Sequence, residues 1–113
     1  MLPIKSRVKK ELFPKIMKEG VFFHATNFYL RLLDRNDGLP TLFAFVVPNK
    51  VKKTSVGRHL IKRKMSAVVE KLLITTKPGF LAILLAKKDV STLPYKEIEK
   101  EIIELLKKAK ILN

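Results

Sequence analysis

The segment Phe80–Ala86 is apolar at every position, and it constrains the fold more than any other part of the chain. Lys77-Pro78-Gly79 breaks the chain just before it, and Lys87 and Lys88 follow it. The segment is far shorter than the roughly 18 residues that a membrane-spanning helix needs. A short apolar run of this kind is typical of a strand buried on both faces. We therefore predict a central strand with other elements packed on each side.

Three further strands are predicted upstream of this central strand. Val21–His24 and Leu42–Val47 are rich in β-branched and aromatic residues. Within Asn27–Leu33, apolar residues alternate with Tyr29 and Arg31, which predicts a strand with one buried face. The alternating apolar residues are Phe28, Leu30 and Leu32.

Three helices are predicted around the strands. The first starts near Phe13, where the following proline suits a first helical turn, and a glycine seven residues later ends it. The second starts at a cap formed by Thr54 or Ser55 and runs to about Leu73. The third starts near Pro94, with glutamates early and lysines late, as the helix dipole favours. The predicted buried positions are Ile61, Met65, Val68 and Leu72 on the second helix and Ile98, Ile102, Leu105, Leu106 and Ala109 on the third.

The predicted order is therefore α-β-β-β-α-β-α, an α+β fold in which one mixed sheet carries helices as an α/β sandwich. We expect the 113 residues to form a single domain spanning 1–113. Nearly half of the residues are apolar, which argues against disorder. Cysteine is absent, so no disulfide partner is expected. We read neither a signal peptide nor a membrane span, and a cytoplasmic location is the expectation.

A basic segment, Lys50–Lys64, connects the third predicted strand to the second predicted helix. Seven of its fifteen residues are lysine or arginine, and no acidic residue occurs between Asp37 and Glu70. The chain carries a formal charge of +14, and charge on that scale destabilises a compact state unless a counter-charged partner is present. A basic loop that leads into a basic helix suits a polyanion of fixed shape. RNA is the predicted partner.

The basic residues of the second helix fall on one flank. Residues four apart are neighbours on a helix surface, so Arg58 lies beside Lys62 and His59 beside Arg63. Each arginine can fork two phosphate oxygens, whereas a lysine acts as a point charge. Leu60 points well away from the buried stripe, as a scattered exposed residue or as an interface contact. A merely solvated helix face is the alternative interpretation, although such a face usually mixes charges of both signs.

Taken in order, these motifs resemble the protein subunit of bacterial ribonuclease P. In that family a strand ends in Ser-Lys-Lys and a helix then opens with Arg-Asn-Arg-x-Lys-Arg. This chain has Asn49-Lys50-Val51 and then Arg58–Arg63 at the same spacing. Arg7-Val8 and Phe13 are similar to the family's upstream pattern, and Leu93–Glu97 is similar to its downstream Leu-x-Tyr-x-Glu. The resemblance covers nearly the whole chain.

The chain departs from the family at three of these positions. His59 stands where the family has asparagine, and Leu60 stands where it has its second arginine. Val51 replaces the second lysine of the Lys-Lys pair, although Lys52 and Lys53 follow at once. The departures bear on how the helix grips RNA or organises nearby metal ions, while the general basic character is kept.

The resemblance implies an α/β sandwich of the ribosomal protein S5 domain 2-like type and a division of labour between protein and RNA. A catalytic RNA would bind Mg²⁺ and hydrolyse one phosphodiester of precursor tRNA, while the protein contributes positive charge. No residue of this chain is then expected to be catalytic or to hold the metal. The residues expected to face the catalytic RNA are Lys50, Lys52, Lys53, Arg58, His59, Lys62, Arg63 and Lys64.

The resemblance also implies a cleft for the single-stranded 5′ leader, between the first helix and the sheet. Base stacking on such side chains tolerates many sequences, as a leader site must. Met17 stands where the family commonly has an aromatic residue, and the alternative for every cleft residue is an ordinary core role. The expected cleft residues are Phe13, Met17, Phe28 and Leu30.

Two other functions remain open at this level. The charge would suit a structural RNA-binding protein, such as a small ribosomal protein, equally well. A protein-only nuclease would need clustered carboxylates, whereas Asp34 and Asp37 read as turn residues. His24 and His59 have no spacing that makes a metal pair or a general base, and we expect a structural or surface role for His24.

Overall fold

The computed structural model describes residues 6–112, and residues 1–5 and 113 lie outside the description. After a 3₁₀ turn at Lys10–Leu12, the elements are three helices and four strands in the predicted order. They are α1 (Phe13–Glu19), β1 (Val21–His24), β2 (Phe28–Asp34), β3 (Leu42–Val46), α2 (Ser55–Leu72), β4 (Phe80–Ala86) and α3 (Tyr95–Lys108). A second 3₁₀ turn, Leu73–Thr75, follows α2. The α+β fold class and the element order are confirmed.

The sheet is mixed, with the strand order β1-β2-β4-β3. β2 is antiparallel to both β1 and β4, whereas β3 and β4 run parallel. The predicted central strand is therefore β4, and all of its residues from Leu81 to Ala86 are buried. Its two faces carry different side chains because successive residues of a strand point to opposite sides of the sheet.

The two faces of the sheet bury two separate apolar layers. On the first, Leu81, Ile83 and Leu85 pack with Ile16 of α1, and we call this the α1 face. On the second, Ala82, Leu84 and Ala86 pack with residues of α2 and α3, and we call this the α2/α3 face. Every residue predicted for the buried stripes of α2 and α3 is buried except Leu72, which is half-buried. The α/β sandwich thus has α1 alone on one side and two longer helices on the other.

The helix that carries the basic segment begins at a defined cap. The side-chain oxygen of Thr54 accepts a hydrogen bond of 3.1 Å from the backbone N–H of Gly57, so Thr54 rather than Ser55 is the cap. This cap fixes where the loop ends and α2 starts. It thereby fixes which basic side chains belong to each.

The loop between β1 and β2 is tied to α3 by a carboxylate. Glu101 accepts hydrogen bonds from the backbone N–H and the side-chain amide of Asn27, at 2.7 and 2.8 Å. The side-chain nitrogens of Lys87 and Lys108 donate to backbone oxygens of Ala25 and His24 in the same stretch. These contacts hold the end of the β1–β2 hairpin against the rest of the fold. Within the described residues, none of the helices combines the length and apolarity needed to cross a membrane.

Candidate nucleic-acid interface

The loop after β3 and the first half of α2 form a basic surface at one end of the sheet. We use this name for the eight residues predicted to face RNA: Lys50, Lys52, Lys53, Arg58, His59, Lys62, Arg63 and Lys64. All eight are exposed or half-buried. The structure divides them into side chains bonded within the protein and side chains left free.

Arg58 turns back onto the loop that precedes its helix. Its Nη1 donates hydrogen bonds to the backbone oxygens of Lys52 and Lys53, at 2.9 and 2.7 Å. A guanidinium engaged in this way holds the shape of the loop, and one edge of its fork is already occupied. The other edge of the guanidinium, formed by Nε and Nη2, can still fork two phosphate oxygens.

Lys52 and Lys64 reach the loop between β4 and α3. The Lys52 ammonium lies 3.1 Å from an oxygen of Asp89, and its nitrogen is 3.5 Å from the Ser91 hydroxyl. Lys64 donates to the backbone oxygen of Ser91 at 3.3 Å. Hydrogen bonds from Ser91, together with the Lys52 ammonium, lower the pKa of Asp89 to about 2. Asp89 is thus an anion at neutral pH that partly neutralises the basic surface.

The side chains of the remaining members of the basic surface make no hydrogen bond or ion pair with any residue in the range 6–112. They are Lys50, Lys53, His59, Lys62 and Arg63. Leu60 lies among them and is 50% exposed, as predicted, and Val56 one turn earlier is 71% exposed. Lysine and arginine side chains beside exposed apolar ones are suited to phosphate oxygens and the sugar or base surfaces next to them. This part of the surface is available for a partner.

A second surface lies on the α1 face, at the end of the sheet that the short α1 leaves uncovered. Phe22 stacks on His24, with ring centroids 5.1 Å apart and planes 12° apart, and Tyr29 lies beside both rings. The Arg31 guanidinium carbon is 3.4 Å from the Phe22 ring centroid. We call these four residues the aromatic platform. Together they offer flat rings and one cation.

The β1–β2 register explains how the aromatic platform is assembled. Phe22 is paired with Arg31, and His24 is paired with Tyr29. Paired residues of neighbouring strands point to the same side of the sheet, so four side chains from two strands meet on the α1 face. The alternation in β2 could have revealed two of them, because Tyr29 and Arg31 must face away from the apolar set. His24 was expected only to be structural or on the surface.

The structure corrects half of the predicted leader cleft. Phe28 and Leu30 are completely buried, and they belong to the α2/α3 face, on the far side of the sheet from α1. They cannot line a cleft beside α1. Phe13 packs against the α1-face layer, and Met17 on the same helix is 37% exposed. These two remain candidates for a cleft.

The turn after β2 needs no ligand to explain its carboxylates. Asp34 accepts a 2.8 Å hydrogen bond from the backbone N–H of Asn36, and Asp37 accepts one of 3.0 Å from that of Leu39. Gly38, in the same turn, has a φ of +71°. Among residues 6–112, no three histidine, aspartate or glutamate side chains come together as a metal-binding group.

Comparisons with known proteins agree with this architecture. A family model described as Ribonuclease P matches residues 2–110. A ribonuclease P protein component from Pseudanabaena sp. is 30% identical over 100% of this chain and 98% of its own length. One from Streptococcus pneumoniae serotype 4 is 31% identical, over 93% of this chain and 85% of its own length.

Solved structures show the same fold. The Staphylococcus aureus RNase P protein superimposes with a TM-score of 0.84 at 20% identity, over 96% of this chain and 98% of that one. The Thermotoga maritima RNase P protein, in complex with 1-(4-fluorophenyl)-2-thiourea, gives a TM-score of 0.80 at 20% identity, over 89% of this chain and 97% of that one.

Proposed function

The chain belongs to the ribonuclease P protein family, and we propose that it is the protein subunit of a ribonuclease P holoenzyme that removes the 5′ leader from precursor tRNA. In this proposal the catalytic RNA carries out the hydrolysis. The protein binds that RNA through the basic surface and raises the affinity of the holoenzyme for its substrate. The cytoplasm is the compartment in which it would act.

The observation that carries the proposal is the set of free cations on the basic surface. The residues in this set are exposed or half-buried, and no described residue forms an ion pair or hydrogen bond with their side chains: Lys50, Lys53, Lys62 and Arg63. Each phosphate neutralised by such a residue adds about 0.7 to 0.9 to the slope of log affinity against log salt. Four contacts therefore correspond to a slope of about 3, which is readily measured.

The aromatic platform is the proposed floor of the leader cleft. Phe22, Tyr29 and Arg31 are partly accessible, and single-stranded bases stack on aromatic rings and guanidinium planes with little regard for sequence. Phe13 and Met17 of α1 would form the wall of the cleft. A stack is worth about 1–3 kcal/mol per base. A few bases held in this way would distinguish a precursor from a mature tRNA.

Mg²⁺ would be held mainly by the RNA. The described residues bring together no cluster of carboxylates that could serve as a resident Mg²⁺ site. The chemistry that the ion supplies in such a holoenzyme is activation of water and neutralisation of phosphate charge. The contribution of this chain is to lower the repulsion between the two RNA molecules, so that less Mg²⁺ is required.

The test is cleavage of precursor tRNA by the ribonuclease P RNA of the same organism at low Mg²⁺, with and without this protein. We expect a large protein-dependent gain that is lost in a Lys53→Ala/Arg63→Ala variant. Lys96→Ala/Lys100→Ala on α3 is the matched control, since it removes equal charge from another surface. No gain with the wild-type protein, together with salt-sensitive binding to unrelated RNAs, would instead support a structural RNA-binding protein.

A further inference from the structure

A small groove opens between the outer edge of β3 and the flank of α2. Its volume is about 200 Å³ and its walls are mostly apolar. Phe43 and Phe45 of β3 have parallel rings 6.5 Å apart. The residues that line it are Arg7, Val8, Phe43, Ala44, Phe45, Lys62 and Ser66.

The edge of β3 is only partly covered at this groove. The chain before α1 pairs with β3 at one point, where Arg7 lies opposite Phe43 and the N–H of Val8 donates to the Phe43 oxygen at 2.9 Å. Alternate residues of a strand direct their backbone groups to the same edge, so Phe45 presents its N–H and C=O there as well. No described residue makes a backbone hydrogen bond to Phe45 on that side. One donor and one acceptor are thus left open beside a half-buried aromatic ring.

The ionisable side chains among the described residues that line the groove are both basic, and they belong to Arg7 and Lys62. Lys62 also belongs to the basic surface, so the groove continues directly from that surface. A volume of about 200 Å³ is smaller than that of a single turn of an α-helix, which is about 10 Å across with its side chains and about 5.4 Å long. A flat ring with a hydrogen-bonding edge and an attached anion matches these walls.

We propose that this groove captures one unpaired base of the catalytic RNA, stacked against Phe45, with its phosphate beside Lys62. This inference rests on the proposed function and extends it to a defined contact. Proteins read RNA chiefly through splayed bases that stack on aromatic residues and hydrogen-bond through their edges. The catalytic RNA is the source because Lys62 lies on the surface assigned to it, whereas the aromatic platform lies on the other face of the sheet.

The test uses the full chain assembled with the ribonuclease P RNA of the same organism. Phe45→Leu keeps the apolar volume and removes the ring, and we expect it to weaken RNA binding about tenfold without changing the salt slope. Phe80→Leu is the matched control, because Phe80 is also half-buried against the α2/α3-face layer but lies outside the groove. Its affinity should equal that of the wild type. Thermal unfolding of both variants checks that they fold.

A second readout locates the base directly. The chain has no tryptophan, so Phe45→Trp and Phe80→Trp each carry a single tryptophan, whose emission can be excited selectively. We expect the catalytic RNA to quench the emission of Phe45→Trp and to leave that of Phe80→Trp unchanged. Quenching only after precursor tRNA is added would overturn the assignment to the catalytic RNA.

These experiments distinguish failure of the proposed function from failure of the base-capture proposal. If the wild-type protein neither binds the catalytic RNA nor stimulates cleavage, both proposals are overturned. If the wild type does both, yet Phe45→Leu binds as tightly as Phe80→Leu and Phe45→Trp is not quenched, only the base-capture groove is overturned.

Discussion

Arg58 and Arg63 lie on the same helix flank, but the structure gives them different tasks. Arg58 donates two hydrogen bonds to the loop oxygens of Lys52 and Lys53, whereas the Arg63 guanidinium makes no hydrogen bond or ion pair within the described residues and the residue is exposed. Replacing each with glutamine removes the charge and retains a good helix former. The two variants should therefore fail in different assays.

The magnitudes follow from these contacts. A hydrogen bond from a charged donor contributes about 1.5–3 kcal/mol, and partial exposure reduces the pair made by Arg58 to about 1–2 kcal/mol in total. With a urea m-value of about 2 kcal/mol per molar, Arg58→Gln should lower the unfolding midpoint by about 0.5–1 M. Arg63→Gln should leave the midpoint unchanged, because surface substitutions usually stay within about 0.5 kcal/mol.

In RNA binding, Arg63→Gln should have the larger effect and Arg58→Gln the smaller one. Arg63→Gln removes one phosphate contact and should reduce the salt slope by about 0.7–0.9, so its affinity deficit shrinks about threefold between about 50 and 200 mM salt. Arg58→Gln should reduce the slope by less, since one edge of its fork is bonded to the loop. Urea unfolding and filter binding over a salt series measure both quantities. Equal midpoints, with equal losses of slope, would refute the assignment of different tasks.

Three further substitutions test other contacts. Asp89→Asn should release Lys52 and tighten binding to the catalytic RNA about two- to fourfold at 50 mM salt, with a steeper dependence of log affinity on log salt. The pKa of Asp89 is lowered to about 2, so its pairing with Lys52 is kept at higher pH and lost only as the pH falls through that value. RNA binding by the wild type should therefore owe no pH dependence to Asp89 between about pH 5 and 8. Glu101→Gln should cost about 1 kcal/mol and about 4 °C in Tm by weakening the contact with Asn27, as calorimetry would detect. Gly20→Ala would place a Cβ 2.5 Å from a backbone oxygen of α1, so α1 must shift. The ratio of the affinities for precursor and mature tRNA should then fall. An unchanged ratio would count against the proposed cleft.

The order and type of the elements could be predicted because the apolar patterns are strong. Phe80–Ala86 allowed few interpretations other than a central strand, and Thr54 stands at a position where a helix cap is favoured. The alternation in β2 correctly predicted that Phe28 is buried. An alternation with a period of two shows that a strand has one apolar face and one polar face, but it does not show which helix covers either face. For that reason the pattern could not show that Phe28 and Leu30 lie on the face away from α1.

The positive charge of the candidate site could be predicted from the sequence, but the contacts that its side chains make could not. The sequence located the basic surface, because an acid-free stretch of cations is a local property. That Arg58 bonds to its own loop, and that Lys52 is held by Asp89 from a distant loop, depends on tertiary packing. The stack of Phe22 on His24 with Tyr29 and Arg31 alongside depends on the register of two strands, which turn residues alone did not fix.

The strand order has a consequence for how the chain is made. β4 lies between β2 and β3 in the sheet, yet it is the last strand to leave the ribosome. The β1–β2 hairpin can close as soon as it emerges, whereas β3 has no strand neighbour until Phe80–Ala86 follows. During that interval an apolar strand and the basic surface beside it are both exposed, and unpaired apolar edges invite association with other chains. A ribosome-bound chain from which only the residues before Phe80 have emerged should therefore be more prone to aggregation and proteolysis than one from which β4 has also emerged.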